Sequence, residues 1–469
     1  MKLHNTLTRN VENITPLRDN IARIYSCGPT VYDHAHIGNL SAYIFADTLR
    51  RSLQLAGYTT KHVMNYTDVD DKTIRRSHEQ YPHDEPMQAL RKLTDHYIQL
   101  FNNDMDRLGN DIAAVTFVRA TDHIGSMKEL TRRLYERGFA YLADDGVYFS
   151  IEAYQKSGKT YGQLLELTPQ NTSEARIKND EYDKDNIHDF ALWKKQKSGE
   201  PAWDFELDGQ DMTGRPGWHI ECSAMSRDEL DQPFDIHTGG VDLIFPHHEN
   251  EIAQSTALTI PTMAQSFVHN EHILVDGKKM AKSAQNFYTL QDIIDKGFDP
   301  IAFRLLVLQA HYRSQAHFSW DNLEAAQNRL QKYRAFADLL WELPDTGKSS
   351  DPNLLNDAKN DIISALQNDI DTPHALARLS DTEGQWLRVL SSESKETFKP
   401  FLEFIDQALG LNLSHTKDIT DTQYELIHRR EQARRAKDWK QSDDLRNQLK
   451  EQGIGVRDDT PGGDVWYRL

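Results

Sequence analysis

The stretch from Ile21 to Asn65 constrains the fold more than any other part of this sequence. Ile21-Ala22-Arg23-Ile24-Tyr25-Ser26 reads as a short β-strand ending at Cys27, and Gly28-Pro29-Thr30 breaks it, because glycine and proline punctuate regular structure. After the loop Val31 to Gly38, the stretch Ser41 to Ala56 carries Tyr43, Ile44, Leu49 and Leu53 at mixed three- and four-residue spacing and stops at Gly57, which predicts a helix. His62-Val63-Met64-Asn65 predicts the next strand. Strand, crossover helix and strand make a right-handed βαβ unit with parallel strands, the seed of an α/β fold.

The rest of the 469-residue chain has room for about three domains at ~150 residues each. With 38% hydrophobic and 27% charged residues it can bury a sizeable core, so a mainly disordered chain is excluded. No uncharged apolar run approaches the ~18 residues of a membrane span. Met1-Lys2-Leu3-His4-Asn5 leads into polar residues, unlike a signal peptide, so a cytoplasmic protein with no membrane partner is expected. Lys and Arg number 54 against 72 Asp and Glu, a net charge of −18, which excludes a histone-like binder. Any nucleic-acid surface must therefore be local.

Three clusters carry chemistry. His36-Ile37-Gly38-Asn39 precedes the first helix, where free N–H groups and the dipole favour phosphate and where His36 and Asn39 can face one anion. Read in isolation, a loop histidine is more often a surface residue. The second cluster gathers around the chain's two cysteines. Cys222 closes Gly217-Trp218-His219-Ile220-Glu221-Cys222, followed by His237-Thr238-Gly239-Gly240-Val241-Asp242 and Pro246-His247-His248-Glu249-Asn250-Glu251. Pro246 suits a first helical turn, and His247 and Glu251, four apart, share a helix face. Cys27, Cys222, His247 and Glu251 offer two thiolates, an imidazole and a carboxylate, a set that suits zinc. The zincin pattern His-Glu-x-x-His is absent, which argues against a metalloprotease. A solvated helix start and two inert thiols are the plain alternative. Third, Asp276-Gly277-Lys278-Lys279-Met280-Ala281-Lys282-Ser283 follows the apolar strand His272-Ile273-Leu274-Val275. Such a loop can close on a polyphosphate, although lysine runs are commonly just exposed charge.

Together these clusters resemble the class I aminoacyl-tRNA synthetases, and among them the cysteinyl-tRNA synthetase family. The two class I marks are His36-Ile37-Gly38-Asn39 and Lys279-Met280-Ala281-Lys282-Ser283. Cys27 to Asp33, Asn65 to Lys72, Asp189 to Lys194, Arg215 to Cys222 and Phe245 to Glu251 match in family order. The resemblance implies one zinc ion per chain on Cys27, Cys222, His247 and Glu251. It implies ATP, with Mg²⁺, at Gly28, Thr30, His36, Gly38, Asn39, Lys279 and Lys282, with His36, Asn39, Lys279 and Lys282 catalytic. It implies a cysteine pocket at Thr67, Trp218, His237 and Asp242. Asn39 stands where the family usually has histidine, and Ala281 where it usually has serine; a modest rate effect at most is expected from the latter.

The implied architecture is a Rossmann-like catalytic fold (residues 1–120 and 203–262) split by an insertion near the tRNA acceptor end (121–202). It continues through a stem-contact region with the lysine loop (263–315), an α-helical bundle (316–412) and a small anticodon-binding domain (413–469). Phe205 to Thr213 reads as a surface-loop insertion, and Asp144 to Ser150 as a hairpin arm. Tyr424 to Gln452 reads as one charged helical stretch with Arg429, Arg430, Arg434, Arg435, Lys437, Lys440, Arg446 and Lys450, followed by a turn and Trp466-Tyr467-Arg468. Basic and aromatic side chains together suit phosphates and splayed bases, while the interspersed acids also fit a salt-bridged surface helix.

The implied reaction is activation of L-cysteine by ATP and transfer to the 3′ end of tRNA(Cys) by a monomeric enzyme. Zinc would select the thiol, so that no editing domain is needed. The rival reading is a paralogous cysteine ligase with an amino-sugar acceptor, whose relatives lack the carboxy-terminal domain. A non-catalytic zinc- and nucleotide-binding protein is the other.

Overall fold

The computed structural model describes residues 1–165, 189–258, 260–275, 277, 286–460 and 463–469. Its centre is the expected βαβ unit. Strand β3 (Ile21–Ser26) is followed by α1 (Ile37–Leu55) and β4 (Thr59–Tyr66), and the two strands pair in parallel. The helix begins four residues before the predicted Ser41, because His36 caps it. Ahead of β3 lies a hairpin of β1 (Lys2–Asn5) and β2 (Asn10–Asn13).

Helices α2 (Asp71–Gln80) and α3 (Pro86–Arg107) carry the chain to β5 (Val115–Arg119), which pairs with β4 in parallel. The other side of β3 is taken by β12 (Phe234–Gly240), itself flanked by β13 (Ala264–Asn270), both parallel. The order is thus β13-β12-β3-β4-β5. Connections run one way from β3 and the other way from β12, so a crevice opens at the carboxyl ends of these two strands, where ligands sit in open α/β sheets.

Alternating residues sort to the two faces of this sheet, as the pleat requires. Ile24, Met64, Ile236 and Val268 join a core that runs through α1 into the helical region. Tyr25, Val63 and Phe267, each next in sequence to one of these, join a second core on the opposite side.

That second core is shared with the segment between β5 and β12. Helix α4 (Ile124–Glu136) leads to β6 (Ala140–Ala143) and β7 (Gly146–Phe149), the expected hairpin, then α5 (Ile151–Lys156). Strands β8 (Phe190–Lys195) and β11 (Gly214–Pro216) complete a four-stranded antiparallel sheet, β11-β8-β7-β6. Between them Phe205 to Thr213 is not a surface loop. It holds a small hairpin of β9 (Glu206–Leu207) and β10 (Gln210–Asp211), whose flanking Phe205, Leu207 and Met212 are buried. Trp193 Nε1 donates to Met212 O at 2.7 Å, so the hairpin covers an indole that would otherwise face water. Helix α6 (Trp218–Leu230) then leads into β12, and α7 (Glu249–Thr256) joins β12 to β13.

Beyond a parallel pair of β14 (Ile273–Val275) and β15 (Ala316–Phe318) the fold is helical: α8 (Leu290–Asp295), α9 (Pro300–Leu308), α10 (Trp320–Ala337), α11 (Pro352–Gln367), α12 (Thr372–Gly384), α13 (Trp386–Ser392) and α14 (Lys395–Leu409). A buried ionic node ties this region to α1. Asp47 accepts from Arg51 Nε at 2.6 Å, Arg304 Nη2 at 2.6 Å and Arg50 Nη2 at 2.8 Å. Arg51 and Arg304 in turn donate to the carbonyls of Asp406, Gln407 and Leu409, the unsatisfied end of α14.

The last unit has its own core around Leu426, Leu449 and Trp466. The predicted single charged helix is two, α15 (Asp421–Arg435) and α16 (Trp439–Glu451). Lys437 adopts a left-handed φ of 61° and Asp438 caps the second helix, which breaks the run. Strands β16 (Ile454–Thr460) and β17 (Gly463–Arg468) form the closing hairpin. Among the described residues no helix is long and apolar enough to cross a membrane.

Candidate metal and nucleotide site

Strand β3 delivers Cys27 to the crevice, where its N–H bonds Thr238 O of β12 at 3.2 Å. Gly28 follows because the chain passes so close to β4 that a Cβ would lie 1.7 Å from Asn65 O. Cys222 sits in the second turn of α6. That helix can start against the antiparallel sheet because Gly217 has no side chain; a Cβ there would lie 2.0 Å from Ala191 O. His247 precedes α7 and Glu251 lies in its first turn.

These four residues converge. Their ligand atoms all lie within 4.8 Å of one another. The two sulfurs are 3.9 Å apart, both free thiols, and His247 Nε2 is 3.0 Å from Glu251 Oε1. A second quartet, Cys27, His237, His248 and Glu251, also lies within 4.8 Å. The two sets share Cys27 and Glu251, and in each a histidine is held through Nδ1, His247 by His219 at 3.0 Å and His248 by His269, while His248 Nε2 lies 3.3 Å from Cys27 Sγ. Glu251 Oε2 is held by His237 Nε2 at 2.8 Å, and His237 Nδ1 is 3.1 Å from Tyr25 O. His248 is engaged through Nδ1 with His269 at 2.8 Å. His237 braces Glu251 from behind, a usual duty of residues around metal ligands, while His248 stands beside Cys27. The donor set fits zinc: soft sulfur, one imidazole and one carboxylate oxygen, largely buried but reaching the cavity through Cys27 and His247.

The four side chains are electrostatically coupled to one another. Its contact with Cys27 holds the Cys222 thiol down at about 6, against burial. Burial pushes the Cys27 thiol up. Burial opposes charge on both His247 and Glu251, but the pair overcomes it: Glu251 and Cys222 lift His247 to about 10, and His237 and His247 hold Glu251 at about 2. Buried His248 and His269 are instead driven down, so they stay neutral near pH 7.

The crevice is a cavity of about 370 Å³. Cys27, Gly28, Thr30, His36, Gly38, Asn39, Trp218, Asp242 and His247 all line it. Trp218 stacks on His247 with centroids 4.2 Å apart. Thr67 and His237 are buried behind its wall, and Thr67 Oγ1 accepts from Asn65 Nδ2 at 3.1 Å. Lys279 and Lys282 fall outside the described residues.

His36 and Asn39 do not both aim at one anion. His36 Nδ1 accepts from Asn39 N–H at 3.1 Å, and Asn39 Oδ1 accepts from His36 N–H at 3.4 Å, a reciprocal cap on α1. An accepting Nδ1 puts the proton of the neutral ring on Nε2.

Sequence reasoning missed His248, His269, Asn65 and the glycine pair 239–240. The adjacent His247-His248 was a signal for the first, and Asn65 and the glycine pair stood inside quoted motifs without a role; His269 has no local mark. At the far end it missed Trp439, which opens α16 with 58% of its surface exposed, between Lys437 and Lys440. Trp466, expected to stack on bases, is fully buried. Arg430, Arg434 and Arg446 converge on Asp458 and Arg435 lies 3.9 Å from Glu431, so of the exposed cations Arg429, Lys437, Lys440 and Lys450 form no ion pair with a described carboxylate.

Comparison with known proteins finds relatives along the whole chain. Residues 13–328 match the family model of the class I (C) tRNA synthetase catalytic domain, and residues 416–468 that of the cysteinyl-tRNA ligase anticodon binding domain. The chain is 39% identical to a cysteine–tRNA ligase of Leptospira interrogans, covering 100% of this chain and 99% of the relative. It is 40% identical to one of Chlamydia abortus, covering 99% and 97%. Among solved structures it is similar to Mycobacterium tuberculosis methionyl-tRNA synthetase in complex with methionyl-adenylate (TM-score 0.57, 14% identity, 83% and 91% coverage). It is also similar to an Agrobacterium radiobacter leucyl-tRNA synthetase ternary complex (TM-score 0.60, 11% identity, 85% of each chain). At such identities these two speak for the fold alone.

Proposed function

The chain belongs to the cysteinyl-tRNA synthetase family and is an ATP-dependent aminoacyl-tRNA ligase, a cysteine–tRNA ligase, and from that premise we propose how its residues divide the work. Cys27, Cys222, His247 and Glu251 hold one zinc ion, and the acceptor is tRNA(Cys). The observation that carries this is the approach of those four ligand atoms within 4.8 Å at the cavity wall.

Cysteine has to be told from serine and alanine, and an apolar pocket separates such near-isosteres by only about 10–200-fold per methylene-sized change. Zinc, when bound, supplies a soft position that a thiolate fills far better than a hydroxyl. His237 keeps Glu251 oriented, and Trp218, stacked on His247, walls the amino-acid end. At the other end Gly28, Thr30, Gly38 and Asn39 let ATP, as its Mg²⁺ complex, lie close to the backbone at the start of α1. Attack of the cysteine carboxylate on the α-phosphorus then needs positioning and charge stabilisation more than covalent chemistry. His36, with its proton on Nε2, is a neutral donor to the phosphates as pyrophosphate leaves, together with Lys279 and Lys282. The adenylate is then attacked by a ribose hydroxyl at the tRNA 3′ end. At the far end Trp439 and the exposed cations of α15 and α16 suit anticodon bases and phosphates.

The test is to supply ATP, labelled cysteine or serine, and tRNA, scoring RNA-bound label and AMP, with metal content measured on the same protein. Wild-type protein should carry zinc and charge RNA with cysteine alone. Cys222→Ala should lose the metal and at least a hundredfold of cysteine activation. Retained cysteine activation without zinc would sink the selector role. Cysteine-dependent AMP with label on an amino-sugar and none on RNA would favour the rival acceptor.

A further inference from the structure

The residues lining the cavity fall into three groups, and the reading above uses two of them. The metal side takes cysteine, and Gly28, Thr30 and the start of α1 take ATP. The third is built from Tyr32, Asp33 and His34 of the loop before α1, Lys72 of α2 and Tyr97 of α3.

Lys72 is the one lysine or arginine among the described residues that line the cavity. Its Nζ stands 5.9 Å from the centre of the Tyr32 ring, a cation–π arrangement, and no carboxylate among the described residues stands within ion-pair distance of it, although its charge is felt by Asp70 beside it. Its backbone is nevertheless firmly placed. Asp70 caps α2 through Thr73 N–H at 2.7 Å. Asp71 bonds Lys194 of β8 at 2.8 Å and also pairs with Arg215 of β11. Lys72 is thereby fixed at the seam between the cavity and the antiparallel sheet.

A ligase with three substrates needs a third place, occupied while the adenylate is already seated. An exposed ammonium with no carboxylate bound to it, above an aromatic ring, matches a nucleotide: phosphate for the cation, base or ribose for the ring. We propose that Lys72 and Tyr32 form the subsite for the terminal nucleotide of the incoming tRNA, with Lys72 on its phosphodiester. This inference rests on the tRNA-ligase reading and names the residues that meet the RNA in the second step.

The experiment compares Lys72→Met and Lys72→Arg with wild type in two assays: cysteine-dependent pyrophosphate exchange without RNA, and tRNA charging over a range of salt. Lys72→Met should raise the KM for tRNA about tenfold and lower the salt slope of that KM by about one, as loss of one phosphate contact does. Its KM for ATP in exchange should stay within about twofold of wild type, and Lys72→Arg should restore charging. A parallel fall in exchange, or a raised KM for ATP, would overturn the proposal by placing Lys72 on ATP. An unchanged KM for tRNA with an unchanged salt slope would overturn it too. A wild-type protein that forms the adenylate but charges no tRNA would instead overturn the ligase reading, and this inference with it.

Discussion

His36 and Asn39 show what a motif conveys and what it hides. The tetrapeptide was readable as a helix-start phosphate site, and both residues do line the cavity. Their bonding to each other was not readable, because a capping box needs backbone geometry that no spacing rule supplies. It also gives a physical reason for asparagine in the fourth position: the side chain has to accept from His36 N–H. Asn39→Ala should therefore cost about 1 kcal/mol of helix-start stability, because His36 N–H loses its acceptor, and loosen the backbone that carries His36 enough for about a five- to tenfold fall in pyrophosphate exchange, although the backbone N–H of residue 39 still bonds the ring. Asn39→His, which keeps an acceptor, should recover most of it; equal losses in both variants would refute the cap. The four proposed metal ligands were legible because cysteine is rare here and histidine and carboxylate four apart share a face. His237 was expected in the cysteine pocket, yet stands behind the wall bracing Glu251. Depth along a strand is set by the sheet around it, which no single residue announces.

Among the elements, those with a strong local period were the legible ones: β3, α1 and the hairpin of β6 and β7. Phe205 to Thr213 misled because its polar residues dominate the composition, while three apolar ones cover Trp193. The α15–α16 break hid in an unbroken charged run, since left-handed Lys437 carries no glycine signal. Helix α1 also does something its amphipathic pattern did not reveal, holding Asp47 among three arginines. Burial opposes charge on that carboxyl, but Arg304, Arg51 and Arg50 hold it below the usual carboxylate range. Its folded pKa is thus lower than its unfolded value near ~4, so its stabilisation is present above about pH 4 and is lost as pH falls further. Asp47→Asn would strand buried Arg304 and should cost about 3–5 kcal/mol at pH 7, read by urea unfolding. The gap to wild type should narrow below about pH 4, and a gap constant with pH would refute the linkage.

On the scale of the whole molecule, an acidic chain meets RNA through a confined surface. The net charge of −18 demanded a local basic patch, and three of the arginines first considered for it are neutralised in part by Asp458, with Arg430 buried. Exposed Trp439 between Lys437 and Lys440 is what remains. Trp439→Ala should raise the KM for tRNA about tenfold to a hundredfold, as one lost base stack of ~1–3 kcal/mol would, and leave RNA-free pyrophosphate exchange unchanged. An unchanged KM would remove the indole from RNA binding. The sheet order was the least legible feature, because pairing between β3 and β12 joins segments far apart and leaves no trace in either alone. That order has a consequence during synthesis. Strand β3 emerges early, but its neighbour β12 is translated roughly 200 residues later, about 10–40 s at ~5–20 residues per second. Until then one edge of the nascent sheet, with Ile24 and Tyr25 on it, stands unpaired on the ribosome, open to edge-to-edge association with other emerging chains. The half-made protein is therefore the form most exposed to aggregation and most dependent on a chaperone.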